Sequence, residues 1–126
     1  MQKILLIHPD LAMRDELTFI LQHSGFQVVS ASEGGQALAE IDRRRPDLIL
    51  MAEGSHRWNG DELCIRVREI SDAPIVVLGQ DEWEAAGVEF LEMGADAYLT
   101  SPLNARELLA RVRSLLRRYE MQSEGI

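Results

Sequence analysis

His8 and Asp10, which directly follow the apolar run Ile4-Leu5-Leu6-Ile7, are the first side chains along the chain that could do chemistry. Imidazole and carboxylate both bind metals, but two ligands with no nearby Cys or second His make a poor transition-metal site. A hydrogen-bonded histidine is the better reading of His8, and its titration near neutrality matters only if a partner exploits it. Asp10 precedes a helical stripe and is expected to cap it, because a carboxylate accepts from first-turn N–H groups. The remaining candidates are Glu53, after Leu48-Ile49-Leu50-Met51-Ala52, and Thr100 and Ser101, after Ala97-Tyr98-Leu99. Successive side chains on a strand alternate between faces, so Glu53 is expected to point away from Ala52 and the crevice beyond it, unless the strand stops at Ala52 and lets it swing in. No nucleophile stands beside a base at these strand ends, which argues against an enzyme. No metal or cofactor site is expected.

The elements that must position these residues follow from periodicity. Short apolar runs at Ile4–Ile7, Val28–Val29, Leu48–Met51, Ile75–Leu78 and Ala97–Leu99 read as five strands. Between and after them, helical stripes run through Met13, Leu17, Ile20 and Leu21; Ala37, Leu38 and Ile41; Leu63, Val67 and Ile70; Trp83, Ala86, Phe90 and Leu91; and Leu108, Leu109, Val112, Leu115 and Leu116. Gly25 is expected to end the first helix. This alternation predicts an α/β fold: a five-stranded parallel sheet covered by helices on both faces, a doubly wound (βα)5 arrangement. Ligand sites in such folds lie beyond the C-terminal strand ends, which singles out His8-Pro9-Asp10, Ala52-Glu53, Gly79-Gln80 and Thr100-Ser101-Pro102. The domain is expected to span residues 1–118, with 119–126 as a tail or the start of a linker, because the apolar stripe stops there.

Composition narrows the function. With 126 residues and 46% apolar content, the chain suits one domain with a continuous core. A net charge of −8 excludes a general nucleic-acid surface. Cys64 is the single cysteine, so an intrachain disulfide cannot form, and no apolar run approaches the roughly 20 residues that span a bilayer. A cytoplasmic domain without membrane contact is expected. Arg43-Arg44-Arg45 ends the second helix, where cations complement the helix dipole. Arg57-Trp58 is read either as an interface anchor or as a flap over the crevice, and Trp83 as at least partly core.

Several stretches resemble the response-regulator receiver family, from Lys3 to Arg118. They are Pro46-Asp47-Leu48-Ile49-Leu50-Met51, Asn59-Gly60, Asp72-Ala73-Pro74-Ile75-Val76-Val77-Leu78, Leu91-Glu92-Met93-Gly94-Ala95-Asp96-Ala97-Tyr98-Leu99 and Arg106-Glu107-Leu108-Leu109-Ala110-Arg111-Val112-Arg113. The last two look most like receivers of OmpR/PhoB-class transcription factors. The resemblance implies a flavodoxin-like receiver fold and a phosphorylation site at the strand ends. Receivers have an acidic pair, an acceptor Asp, a Thr or Ser, and a Lys before a Pro; here those positions hold His8 and Pro9, Ala52, Gly79 and Ser101. The spacing from Ala52 to Gly60 equals the family's, so no shift of alignment restores the acceptor.

The resemblance therefore implies a receiver that has lost its phosphorylation chemistry and regulates through protein contact, in transcription or as a stand-alone adapter. The alternative is a small-molecule sensor using the emptied crevice. A following effector domain or a regulatory protein is the implied partner, with no direct nucleic-acid binding by this segment. Tyr98 matches the family's rotating aromatic, and Pro102 the proline that follows a cis bond. A homodimer is implied through Glu92, Asp96, Glu107, Arg111 and Arg118. Gly87 and Ala97 depart from the class, which has a basic residue and a second aspartate there.

Overall fold

A computed structural model describes residues 1–55, 58–79, 84–100 and 104–124. Its elements are β1 (Lys3–Ile7), α1 (Leu11–His23), β2 (Gln27–Ala31), α2 (Gly34–Arg44), β3 (Leu48–Ala52), β4 (Gly54–Ser55), β5 (Trp58–Asn59), α3 (Gly60–Ile70), β6 (Ile75–Gly79), α4 (Glu84–Glu92), β7 (Ala97–Thr100) and α5 (Ala105–Glu124). Five parallel strands form one sheet in the order β2-β1-β3-β6-β7. The predicted (βα)5 architecture is the one observed. Sequence periodicity missed the antiparallel pair β4–β5, whose two-residue strands are too short to carry a pattern.

The two-residue strand period sorts the core into two layers. Leu5, Ile7, Ile49, Met51, Ile75 and Val77 pack on one face with Ala37 and Ile41 of α2, Leu63 and Val67 of α3, and Phe90 of α4. Ile4, Leu6, Leu48, Leu50, Val76 and Leu78 pack on the other with Leu17 and Leu21 of α1 and Leu108, Val112 and Leu116 of α5. Each such fully buried aliphatic side chain contributes about 1.5–3 kcal/mol, so the central strands are the most strongly held part of the chain.

The ends of the helices follow local chemistry. Asp10 caps α1 by accepting from the Ala12 N–H at 2.9 Å, as expected. Gly25, at φ +95°, turns the chain out of α1, with its N–H on the Gln22 carbonyl and the Phe26 N–H on that of Leu21, both at 3.1 Å. Asn104 opens α5 by accepting from the N–H groups of Arg106 and Glu107 at 2.9 and 3.3 Å. α5 then continues to Glu124, past Arg118, although Leu116 is its last buried residue among those whose burial is described. Tyr119 to Glu124 contains neither Gly nor Pro, so nothing breaks the helix when the apolar stripe stops.

Candidate functional site at the strand ends

The strand order reverses direction at β1 and β3, and the residues leaving these strands open the crevice at the switch point. β1 delivers His8, whose N–H continues the sheet by bonding the Ala31 carbonyl at 3.0 Å. β3 delivers Ala52, opposite Leu78 and 6% exposed. β6 ends on Gly79, opposite Thr100 of β7. Ser101 and Pro102 lie outside the described residues, as do His56, Arg57, Gln80 and Trp83.

His8 is half-buried, and its Nδ1 accepts from the Asp10 N–H at 3.1 Å. An accepting Nδ1 places the proton of the neutral ring on Nε2. Burial pulls the imidazole pKa below its ordinary 6.5; Asp10 opposes the shift and Arg14 adds to it. The Arg14 guanidinium donates to the His8 carbonyl at 2.9 Å, a contact the sequence did not signal. Among the described residues no three His, Cys, Asp or Glu side chains are grouped to hold a metal ion.

The sign of the His8 shift yields a prediction. Above pH 6.5 the ring is neutral in both folded and unfolded chains. Below that value the unfolded chain takes up the proton first, so stability is lost as the pH falls from 6.5 through the lower folded pKa. Melting temperatures measured between pH 7.5 and roughly pH 5 should decline more steeply for the wild type than for His8→Gln, which does not titrate there. Parallel curves would show that His8 is not held neutral.

Glu53 requires a correction. Its parity is as expected: it shares a face with Ile49 and Met51, opposite that of Leu48 and Leu50. That face is not empty, however, because Gly79 and Tyr98 lie on it too. The Glu53 N–H bonds the Leu78 carbonyl at 2.9 Å, and its carboxylate accepts from the Tyr98 hydroxyl at 3.0 Å. Glu53 thus points away from Ala52 and toward the Gly79 side of the crevice. The Tyr98 ring stacks on Phe90 with centroids 5.8 Å apart.

The remaining expected site residues separate in the structure. Glu92, Glu107, Arg111 and Arg118 are exposed on α4 and α5. Asp96 is also exposed, and its Oδ2 accepts from the Ile75 N–H at 2.8 Å and from Arg68 Nη2 at 3.1 Å. Arg43 and Arg44 lie 3.6 Å from Glu40, as a solvated helix end would.

The profile of the response regulator receiver domain matches residues 4–113. The chain belongs to the receiver family. It is 36% identical over 118 residues to the sensory transduction protein RegX3 of Mycobacterium tuberculosis, covering 94% of this chain and 52% of that protein. It is 38% identical over 119 residues to the DNA-binding response regulator MtrA of Mycolicibacterium smegmatis, with 94% and 52% covered. These relatives bear out the likeness to the OmpR class. The receiver chain spans about half the length of both. A two-component response regulator from Clostridium difficile superposes with a TM-score of 0.90 at 29% identity, covering 94% of this chain and 98% of that one. A CheY-like receiver from Methanospirillum hungatei gives 0.91 at 27% identity, with 97% and 98% covered. The chain is therefore a two-component receiver domain with the flavodoxin-like fold, a class of signalling domains that is generally non-enzymatic.

Proposed function

We propose that this receiver signals without being phosphorylated, through a two-fold dimer formed on the face made by α4, β7 and α5. The carrying observation is the content of the crevice: β1, β3 and β6 lead into His8-Pro9, Ala52 and Gly79. Transfer of a phosphoryl group to a carboxylate requires an oxygen nucleophile, a divalent cation and donors aimed at the equatorial oxygens. Ala52 supplies no nucleophile. His8 and Pro9 supply no carboxylate for Mg²⁺, which takes oxygen ligands. Ser101, by its identity alone, supplies no ammonium. The three carboxylates and the lysine of the family's site are absent together, so none of that set is left behind without its partner.

On the proposed dimer face, Val88 and Leu91 of α4 are 52% and 48% exposed, beside Glu92, Glu107, Arg111 and Arg118. A two-fold axis sets such a patch against its own copy, so its acids and bases can pair reciprocally. Asp96, with its side chain 39% exposed, keeps its Oδ2 on Arg68 and Ile75 within the chain. The output is control of transcription through a further domain or protein partner, in keeping with the likeness to MtrA, a DNA-binding response regulator. The sensor alternative is less favoured, because the Tyr98 ring fills the space above Gly79 that a ligand would need.

Intact-mass spectrometry after incubation with a small phosphodonor and Mg²⁺ should find no phosphoryl adduct. Sedimentation equilibrium at tens of micromolar should show the same dimer with or without the donor, and Arg111→Glu should shift it toward monomer. A phosphoryl adduct, a monomer, or a dimer indifferent to Arg111→Glu would each count against the reading.

A further inference from the structure

A cavity of about 640 Å³ opens beneath the N-terminal ends of β1, β3 and β6, at the opposite end of the sheet from the crevice. That volume suits a small molecule. Ile41, Pro46, Ala73 and Leu116 make a buried apolar floor, and Ile70, 53% exposed, stands in the wall. The carboxylates of Asp42, Asp47, Asp72 and Glu120 surround this floor, against the one guanidinium of Arg45 among the described lining residues. Asp47 and Glu120 have partners within the chain, accepting from the Lys3 N–H at 2.7 Å and from Gln2 Nε2 at 3.1 Å. Asp42 and Asp72 are exposed and pair with no cation among the described residues. Two cations close to the cavity are engaged elsewhere: Lys3 Nζ donates to the Arg44 carbonyl at 2.9 Å, and Arg68 holds Asp96 and the carbonyls of Ser71 and Ala73. Tyr119 forms one side. Burial, then the Asp72 charge, push its phenol pKa above the ordinary 10 while Arg68 opposes the shift, so the hydroxyl keeps its proton.

We propose that this cavity binds a linear aliphatic polyamine, with the methylene chain on the apolar floor and the ammonium groups against the carboxylates at the rim. The site is independent of the reading of the crevice. Each part of the cavity answers one part of such a ligand. Methylenes leave water for Ile41, Leu116 and Ile70, while ammonium groups meet Asp42 and Asp72. A tyrosine ring face also attracts a cation, which suits Tyr119 to an ammonium beside it. The carboxylates are too dispersed for a compact ion: among the described residues no three acidic, His or Cys side chains are grouped to hold a metal. An extended polycation matches dispersed acids, and a lysine of a protein partner would bring one ammonium to a rim of four carboxylates. Tyr119 and Glu120 lie on α5 beyond Leu116, so the bound ligand would fasten the end of α5 to the ends of α2 and α3.

Amide NMR of the full chain titrated with spermidine reads the site directly. Ionic strength is held constant, because salt screens the general attraction of a chain of net charge −8 for any cation. Saturable, single-site shifts should be confined to residues 41–47, 70–73 and 116–120. Asp42→Asn combined with Asp72→Asn should weaken binding about tenfold, the size of two exposed ion pairs. Asp15→Asn combined with Glu16→Gln makes the same change of charge at exposed positions on α1 and should alter binding less than about twofold. Butylamine, with one ammonium, should bind at least about tenfold more weakly than spermidine. Shifts scattered over the surface, equal losses in the two double variants, or butylamine binding as well as spermidine would overturn the proposal. So would displacement of spermidine by Mg²⁺ at equal charge. Tighter binding of an acetylated arginine-leucine-arginine peptide at the same amides would overturn it too, by assigning the cavity to a protein partner. If the double variants do not fold, the wild-type titrations with spermidine, butylamine, Mg²⁺ and the peptide decide alone.

Discussion

Arg68→Met is expected to lower the melting temperature by roughly 8–16 °C, from a loss of about 2–4 kcal/mol at about 4 °C per kcal/mol for a domain of this size. The guanidinium of Arg68 gathers three chain segments. Its Nη1 donates to the carbonyls of Ser71 and Ala73 at 3.0 and 2.7 Å, and its Nε and Nη2 to that of Gly94 at 3.2 and 2.8 Å. Nη2 also meets Asp96, whose carboxylate holds the first N–H of β6. The end of α3, the start of β6 and the turn into β7 are thus tied by one cation with its side chain 26% exposed. Methionine preserves much of the apolar stem but no donor, leaving part-buried carbonyls and a carboxylate without their partner, the costly way to break such a network. Arg66→Met, at an exposed position on the same helix, serves as the control and should stay within about 0.5 kcal/mol of wild type. Thermal unfolding followed by circular dichroism decides the matter; equal shifts for the two variants would remove the network from the account.

Ala52→Asp, a change that reinstates only the acceptor, is expected to remain unlabelled, or to be labelled at least about a thousandfold more slowly than an ordinary receiver. Position 52 is 6% exposed at the end of a central strand, so a new carboxylate would be partly desolvated and its pKa raised. His8 and Pro9 still offer no oxygen cage for Mg²⁺, and single positioned donors are worth about a hundred- to a thousandfold each in reactions of this kind. The measurement is radiolabel incorporation with and without Mg²⁺. A metal-dependent rate like that of an unaltered receiver would show that the crevice retains a working cage, and the reading of His8 and Pro9 would have to be abandoned.

The architecture was largely legible in the sequence because the central strands are buried on both faces and therefore read as uninterrupted runs: Leu48 to Met51 and Ile75 to Leu78 left little choice. The helices declared themselves through stripes such as Leu108, Val112 and Leu116. The β4–β5 pair did not, since two-residue strands are too short to carry a pattern. At the site, alternation placed Glu53 on the correct face, but which residues share that face depends on the neighbouring strands, and register across β3, β6 and β7 is a tertiary quantity. Gly79 and Gly87 were visible as departures from the family pattern, as a lost hydroxyl and a lost base; that both make room for one ring could be seen only with the ring in place. Asp96 was assigned to the dimer patch by the resemblance alone; its bonds to Arg68, 28 residues earlier, and to the Ile75 N–H are long-range contacts that no local pattern announces.

The order β2-β1-β3-β6-β7 leaves β2 and β7 as the margins of the sheet, and the two margins offer different things to a passing polypeptide. A strand at a margin has backbone donors and acceptors unmatched on one side, and proteins that stay dispersed keep such strands short, polar or covered. β2 is interrupted by exposed Gln27 and Ser30, which makes it a poor template for an incoming strand. β7 is only four residues long and alternates buried Ala97 and Leu99 with partly covered Tyr98 and Thr100, so brevity is its main protection. An assembly built on the face that contains β7 would sheathe the less guarded margin. Self-association there would then serve solubility as well as signalling, by removing from solution the less guarded of the two margins.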